Sequence, residues 1–542
     1  MKFISIYDTS LRDGSQSEDA VLTLGDKIKI ALKLDELGVA YIEGGWPGSG
    51  QLDSDFFSEI SNHVLKNSVV SAFGSTHHPS RKPENDANLK AIIAAKTKLC
   101  CIFGKSWQLH ATEALSITPE QNLEVISGSV SFLKKYVPQV FFDAEHFFDG
   151  YKHNRDYALA VLKIALEAGA DALVLCDTNG GSLPHEIKPI MAEAVKNYPD
   201  AVFGIHAHND CELAVANSIA AVQAGATQIQ GTINGFGERC GNANLCSIIP
   251  ILEIKEQNYK CLPEGRLEQM RAVSNYVSEV ANMPPFSRQP FVGRSAFAHK
   301  GGVHVSAITR NASLYEQINP ALVGNAQRVL LSDLAGRSNI VTLAKRFGFH
   351  LDKDQPVVKG ILAELKRKAN LGYDYAAAEA SVELLLLRKL TQHGLREFFK
   401  LIQFKVIECK TSGDNPPLSE ATVTVEVKGL IEHTAAFGQG PVNALDTALR
   451  KALTGFYPRL AEMRLVDFKV RVLTASRDNS GTASQVRVLI ESSDRENKWV
   501  TVGVSYNIIE ASWQALTDSV TYKLYKDEKP SCQQTEQPLV GK

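Results

Sequence analysis

The segment "FGIHAHND" places His206 and His208 on either side of Ala207. On a β-strand, residues two apart project to the same side, so both imidazoles can reach one metal ion while Ala207 faces away. A carboxylate would complete such a site and leave positions open for substrate and water. The candidate is Asp13, in "YDTSLRDGSQS", next to Arg12 and followed by Gly14, where the backbone is expected to approach a neighbour closely. The alternative is two hydrogen-bonded core histidines and a solvated Arg12–Asp13 pair. Choosing between them depends on whether the fold brings position 13 to position 206.

The first half of the chain alternates two kinds of segment. Short β-rich runs are "FISIYD", "YIEGGWP", "VVSAFG", "LCCIFG", "VFFDAE", "ALVLCDTNGG", "VFGIHAHND" and "QIQGTINGFG". Longer runs of helical period lie between them. "TLGDKIKIALKLDELGV" puts Ile28, Leu32 and Leu37 near one face, and Gly38 ends it. "RDYALAVLKIALEAGA" and "CELAVANSIAAVQAGA" close on glycine in the same way. Eight strand–helix units in about 250 residues predict a (β/α)8 TIM barrel over residues 1–275. A doubly wound sheet would carry a Gly-rich loop after its first strand, and "YDTSLRDG" is not one.

Barrel enzymes keep their chemistry at the C-terminal strand ends. There the sequence sets Arg12 and Asp13, then Asp143, Glu145 and His146, then Asp177 and Thr178, then His206, His208 and Asn209, and last Glu238, Arg239 and Asn242. Asp8 and Asp177 are expected to brace a His or Arg. His77 and His78 are adjacent, point to opposite faces of a strand and are not a metal pair.

The 542 residues exceed one domain. Residues 276–400 read as helical linker subdomains, with "MPPFSRQPFVG" leaving the barrel and a helix in "YDYAAAEASVELLLLRKL". From about 401 the period becomes two. Two strands, a Gly turn and a helix in "ATVTVEVKGLIEHTAAFGQGPVNALDTALRKAL" return in "SQVRVLIESSDRENKWVTVGVSYNIIEASWQALTDSV". Gly438 aligns with Gly503 and Asn443 with Ile508, a period of about 65 residues. Residues 401–527 form this duplicated β-rich/α domain, and 528–542 read as a disordered tail. Lys plus Arg number 58 against 60 Asp plus Glu, so no nucleic-acid partner is expected. No apolar run suits a membrane and no signal peptide is evident. Nine scattered Cys without a CxxC pair suggest reduced thiols and a cytoplasmic protein.

"DTSLRDGSQ", "CDTNG", "HAHNDCELAVANSIAAVQAGA", "GTINGFGERCGNANL" and "FAHKGGVH" resemble, in the same order, the acyl-CoA Claisen-condensing family that includes 2-isopropylmalate, homocitrate and citramalate synthases. The likeness runs from the first strand to about residue 525. "IEGGWPGS" and "FAHKGGVHVSA" are most similar to the citramalate branch. The resemblance implies a metal-dependent acyltransferase that condenses acetyl-CoA with a 2-oxo acid, pyruvate in that branch, and then hydrolyses the thioester. It implies a divalent cation (Mn, Zn, Co or Mg) on Asp13, His206 and His208, with Asn242 as a further ligand. Arg12 would face the keto oxygen and Thr178 the substrate carboxylate. Glu145 would lie near the acetyl group, with His304 and Tyr315 assisting proton removal from beyond the barrel. It implies a homodimer and an amino-acid effector, isoleucine, bound by the C-terminal repeat. Three rivals remain at this level: a 2-isopropylmalate synthase, a carbon–carbon lyase, and a non-catalytic amino-acid sensor on an inactive barrel.

Overall fold

A computed structural model of the chain describes residues 1–330, 336–375, 377–390, 396–410, 416–473, 484–495 and 497–528. It divides into two compact units. One comprises Met1–Phe297 and Gln317–Gln327, the other Ala298–Glu316 and the chain from Arg328 onward. No described helix is long and apolar enough to cross a membrane. Residues 529–542, most of the expected disordered tail, lie outside the described residues.

The first unit is built on a closed barrel of eight parallel strands. They are β1 (Ser5–Asp8), β2 (Tyr41–Gly45), β3 (Val69–Ser75), β4 (Leu99–Lys105), β5 (Gln139–Glu145), β6 (Ala172–Asp177), β7 (Phe203–Ala207) and β8 (Gln228–Gly231). Closure comes from β1 pairing β8 in parallel, with Ser5 opposite Gln228 and Ile6 opposite Ile229. All residues of β6 and β7 are buried, as expected for strands sandwiched between lumen and helices. Inside, Tyr7 of β1 meets Phe141 of β5 with ring centroids 6.2 Å apart, a contact that spans the lumen. The interior is therefore packed, and a site can exist only at its ends.

The helices form where the period predicts. Thr23 and Asp26 make a reciprocal capping box ahead of Leu24–Leu37. That helix buries Ile28, Ile30, Ala31, Leu34 and Leu37, while Leu32 is half-buried. Gly38 ends it with φ at 92°, and the Pro263 ring fills the space a side chain would need.

The second unit contains helices Gly302–Arg310, Arg337–Arg346, Pro356–Asn370 and Glu379–Leu390. Every residue from Ala380 to Leu387 is buried, so the last helix is a packed element rather than a free spacer. After it come β9 (Lys400–Cys409), β10 (Leu418–Val427), β11 (Leu430–Gly438) and helix Pro441–Leu453. The plan repeats as β12 (Arg464–Leu473), β13 (Gln485–Ser493), β14 (Lys498–Ser505) and helix Ile508–Glu528.

Each repeat thus has three antiparallel strands where the sequence reading counted two. The spacing is also corrected: β10 and β13 begin 67 residues apart, as do the two helices. Register places Ala421 opposite Ala436 and Val488 opposite Gly503, so Ala436, not Gly438, corresponds to Gly503. Likewise Pro441, not Asn443, corresponds to Ile508. Register slips between Leu401 and Gln403 in β9, and again between Leu465 and Asp467 in β12. Both repeats therefore carry a bulge at the equivalent place. Inward residues Val423, Val425 and Val427 of β10 and Val488 and Ile490 of β13 join one core with both helices. Large apolar side chains on β9, β11 and β12, among them Ile407, Ile431, Phe437 and Val472, are exposed.

Candidate metal centre and active site

The barrel brings position 13 to positions 206 and 208. Asp13 Oδ2 lies 3.3 Å from His206 Nε2 and 3.9 Å from His208 Nε2. The two Nε2 atoms are 3.3 Å apart. One ligand atom from each residue falls within 4.8 Å of the others, and all three residues are buried. Ala207 points outward into the layer between strands and helices, as the alternation requires. Asp13 Oδ1, His208 Nδ1 and Asn242 Oδ1 are buried without a hydrogen-bond partner among the described residues. Unsatisfied buried oxygens beside two converging imidazole nitrogens are costly unless a cation completes them, so the donor set fits a divalent metal. Asn242 bridges to His208 in the antiparallel sense. It sits against Gly237, where φ is 157° and a side chain would collide with the Asn242 amide.

Charge around the site favours this use. Burial works against the Asp13 carboxylate, but Arg12 and the His206 hydrogen bond hold it well below the usual carboxylate range. Burial and the neighbouring His206 push His208 down to about 3, which keeps its ring neutral with a lone pair to give. Burial also opposes charge on His206, yet the hydrogen bond and charge of Asp13 raise its pKa. The pocket as a whole welcomes one positive charge.

Arg12 is not a solvated partner of Asp13. Its side chain is 14 % exposed, with Nη1 3.3 Å from Asp13 Oδ2. Its Nε donates to Glu43 Oε1 at 2.7 Å, and its guanidinium lies 3.8 Å above the Phe73 ring. Tyr7 donates to Glu43 Oε2 at 2.7 Å. Glu43 is fully buried, and desolvation raises its pKa. The guanidinium is thus fixed on two sides before any substrate arrives. Gly14 has another role than expected. A side chain there would meet only ordinary contacts at 3.6 Å, because the residue sits in a short 3-10 turn without close approach.

The other strand ends contribute as follows. Thr178 Oγ1 accepts from the His146 backbone N–H at 2.9 Å, which leaves its own proton to donate elsewhere. Glu145 is ion-paired with Lys105. His146, at φ 57°, packs edge-on against His110 with centroids 4.3 Å apart, and His110 stacks on Trp107. Trp107 and His110 were not singled out in the sequence, since they follow β4 at the start of a short helical turn, His110–Ala114, that carries no motif. Asp8 and Asp177 brace loops, not a His or Arg. Asp8 accepts from Ser10 N and Oγ, and Asp177 from Ser182 Oγ at 2.9 Å, because those donors follow each strand end directly. Burial raises the Asp8 pKa to about 7. Arg239 clamps Asp210 with two hydrogen bonds and donates to the Thr178 carbonyl, tying three loops together. Glu238 is exposed. His77 bonds Ser129 and His78 bonds Ser80, so they do not converge. His304 and Tyr315 belong to the second unit, where their rings stack at 4.3 Å.

Residues 3–277 match the family described as HMGL-like. Residues 291–372 match the homocitrate synthase post-HMGL domain-like family, and 376–524 the LeuA allosteric (dimerisation) domain. The chain is 56 % identical to the (R)-citramalate synthase of Geobacter sulfurreducens, over 98 % of this chain and 99 % of that one. It is 53 % identical to the (R)-citramalate synthase of Aquifex aeolicus, over 97 % and 98 %. Similarity to the 2-isopropylmalate synthase of Lysinibacillus sphaericus is 31 % over 97 % and 99 %. With three domain matches in order and this identity over nearly its whole length, the chain belongs to the family of the (R)-citramalate synthases.

Proposed function

We propose that the chain is a divalent-metal-dependent acyltransferase that condenses acetyl-CoA with pyruvate and water to give (R)-citramalate and CoA. The observation that carries this reading is the convergence of Asp13, His206 and His208 beside a guanidinium that is already held in place. Asp13, His206, His208 and Asn242 would hold the cation. When bound, it supplies electrophilic polarisation of a chelated 2-oxo acid. Arg12 donates to the keto oxygen as charge develops there. Thr178 donates its hydroxyl proton to the substrate carboxylate. A proton leaves the acetyl methyl, the new carbon–carbon bond forms at the keto carbon, and that oxygen becomes a tertiary alcohol. Water then cleaves the thioester and CoA departs. Glu145, ion-paired with Lys105, would lie near the acetyl group. His304 and Tyr315 serve proton removal.

Residues 1–275 would form the catalytic domain and 276–400 the linker. Residues 401–527 would bind isoleucine as feedback effector within a homodimer. The exposed apolar strands of the repeats support the dimer, and the allosteric family match supports the regulation.

Purified protein with acetyl-CoA and a divalent cation is expected to release free thiol with pyruvate at least about tenfold faster than with 2-oxoisovalerate, since a small pocket discriminates branched chains by this order. Equal or reversed rates would favour the 2-isopropylmalate reaction. Titrated at subsaturating acetyl-CoA, isoleucine should lower turnover. A response to leucine alone would contradict the isoleucine assignment.

A further inference from the structure

Behind the metal-facing edge of His206 runs a chain of four buried side chains from four strands. His206 of β7 and Gln230 of β8 are register partners. His206 Nδ1 lies 2.9 Å from Gln230 Oε1. Gln230 Nε2 lies 2.9 Å from Asp143 Oδ1, on β5. The Cys101 thiol, on β4, donates to the same oxygen at 3.0 Å. Gln230 is fully buried and Asp143 is 4 % exposed, so water does not relax the pattern.

We propose that Gln230 and Asp143 are positioning residues that set the tautomer of His206, so that its Nε2 lone pair faces Asp13 and His208. The proposal rests on the metal reading above. The logic is donor and acceptor arithmetic. Asp143 Oδ1 already accepts from the Cys101 thiol, and that oxygen stays an acceptor although burial raises the Asp143 pKa, so the Gln230 NH2 group must turn toward it. The Gln230 carbonyl then faces His206, and a carbonyl accepts only. Nδ1 must therefore carry a proton, so in the neutral ring that a cation requires it is Nε2 that is bare. The opposite amide orientation sets two oxygens against each other at 2.9 Å in a dry interior. It also puts the ring proton on Nε2, which then cannot offer a lone pair to a cation shared with Asp13 and His208. That arrangement leaves buried groups unmatched, at a cost comparable to lost hydrogen bonds. Cys101 adds a second donor to Asp143 and so helps keep the carboxylate an acceptor. His208 has no such relay: its Nδ1 is without a partner among the described residues. The relay thus orders one of the two imidazoles.

The test is direct measurement of Co2+ and Zn2+ affinity for metal-stripped full-length protein, by competition with a chromogenic chelator. Gln230→Met keeps volume and removes the acceptor. Asp143→Asn keeps shape and removes the lock on the amide. Gln230→Glu, sharing a proton with Asp143, can still accept from Nδ1. The first two variants should bind ~10–100-fold more weakly, the range seen when outer partners of metal-bound histidines are removed. Gln230→Glu should retain more affinity than Gln230→Met, and the Co2+ absorption bands should shift in Gln230→Met alone of the two. Thermal unfolding identifies any variant that fails to fold, and the remaining pair then carries the comparison. Wild-type affinity in both Gln230→Met and Asp143→Asn would overturn the relay, as would Gln230→Glu binding no better than Gln230→Met. Failure of wild-type protein to take up either cation would instead overturn the metal reading itself.

Discussion

His208→Ala is expected to lose turnover to background while the barrel stays folded. The ring is buried and its Nε2 faces Asp13 and His206, but no described residue bonds its Nδ1. Little native structure therefore depends on it. What it removes is one of three donors that converge where the proposed cation would bind. The loss in metal affinity should exceed the ~10–100-fold typical of an outer partner, because a direct ligand is deleted. Metal content by elemental analysis, thiol release and the circular dichroism spectrum should separate the cases. Turnover surviving in this variant, or in exhaustively chelated wild-type protein, would remove the site from consideration.

Arg12→Ala should lower kcat by ~10²–10³ with little change in apparent KM for the 2-oxo acid, as for removal of one donor to a developing oxyanion. The structure adds a second effect. Without Arg12, the fully buried Glu43 loses its cation, which can cost about 3–5 kcal/mol unless the carboxyl takes up a proton. Burial already raises the Glu43 pKa, so protonation should absorb part of that cost. The double variant Arg12→Ala/Glu43→Gln should therefore recover thermal stability without recovering turnover. Arg12→Lys should restore only part of the rate, because an ammonium cannot reach Glu43 and the substrate with a planar fork. A change confined to KM would show that Arg12 serves only ground-state binding.

The candidate site residues of the barrel were legible because they sit where the apolar runs end. "HAH" could be read from strand alternation alone, and the barrel from eight repeats of strand and helix. The supporting residues were hidden. Glu43 and Gln230 lie within β2 and β8, in "YIEGG" and "QIQG", where a polar residue next to an apolar one looks like ordinary alternation. Only closure of the barrel shows that they face inward and toward whom. Trp107 and His110 were hidden because the helical turn they open is too short to show a period. Gly14 was misread because a glycine beside a ligand suggests close approach, yet its short turn needs none. In the repeats, the first strands were missed for a definite reason. β9 and β12 each carry an adjacent apolar pair after the first residue, Leu401–Ile402 and Leu465–Val466, and a second follows at Val406–Ile407 and Val472–Leu473, which breaks the alternation by which a strand is recognised.

Those same interruptions have a consequence for how the protein stays in solution. β9 and β12 are edge strands of their three-stranded sheets, rich in β-branched residues and partly open. A flat strand of that composition is a template on which further chains can add without limit. The bulges at Ile402 and Val466 leave one residue out of register and bend the edge away from a straight ladder. Backbone-to-backbone growth along either edge is thereby frustrated, while the apolar faces remain available. Association through a face is finite, because it ends once the two surfaces are covered. Bulges at matching places in both repeats make each of these two edges a poorer template for such growth.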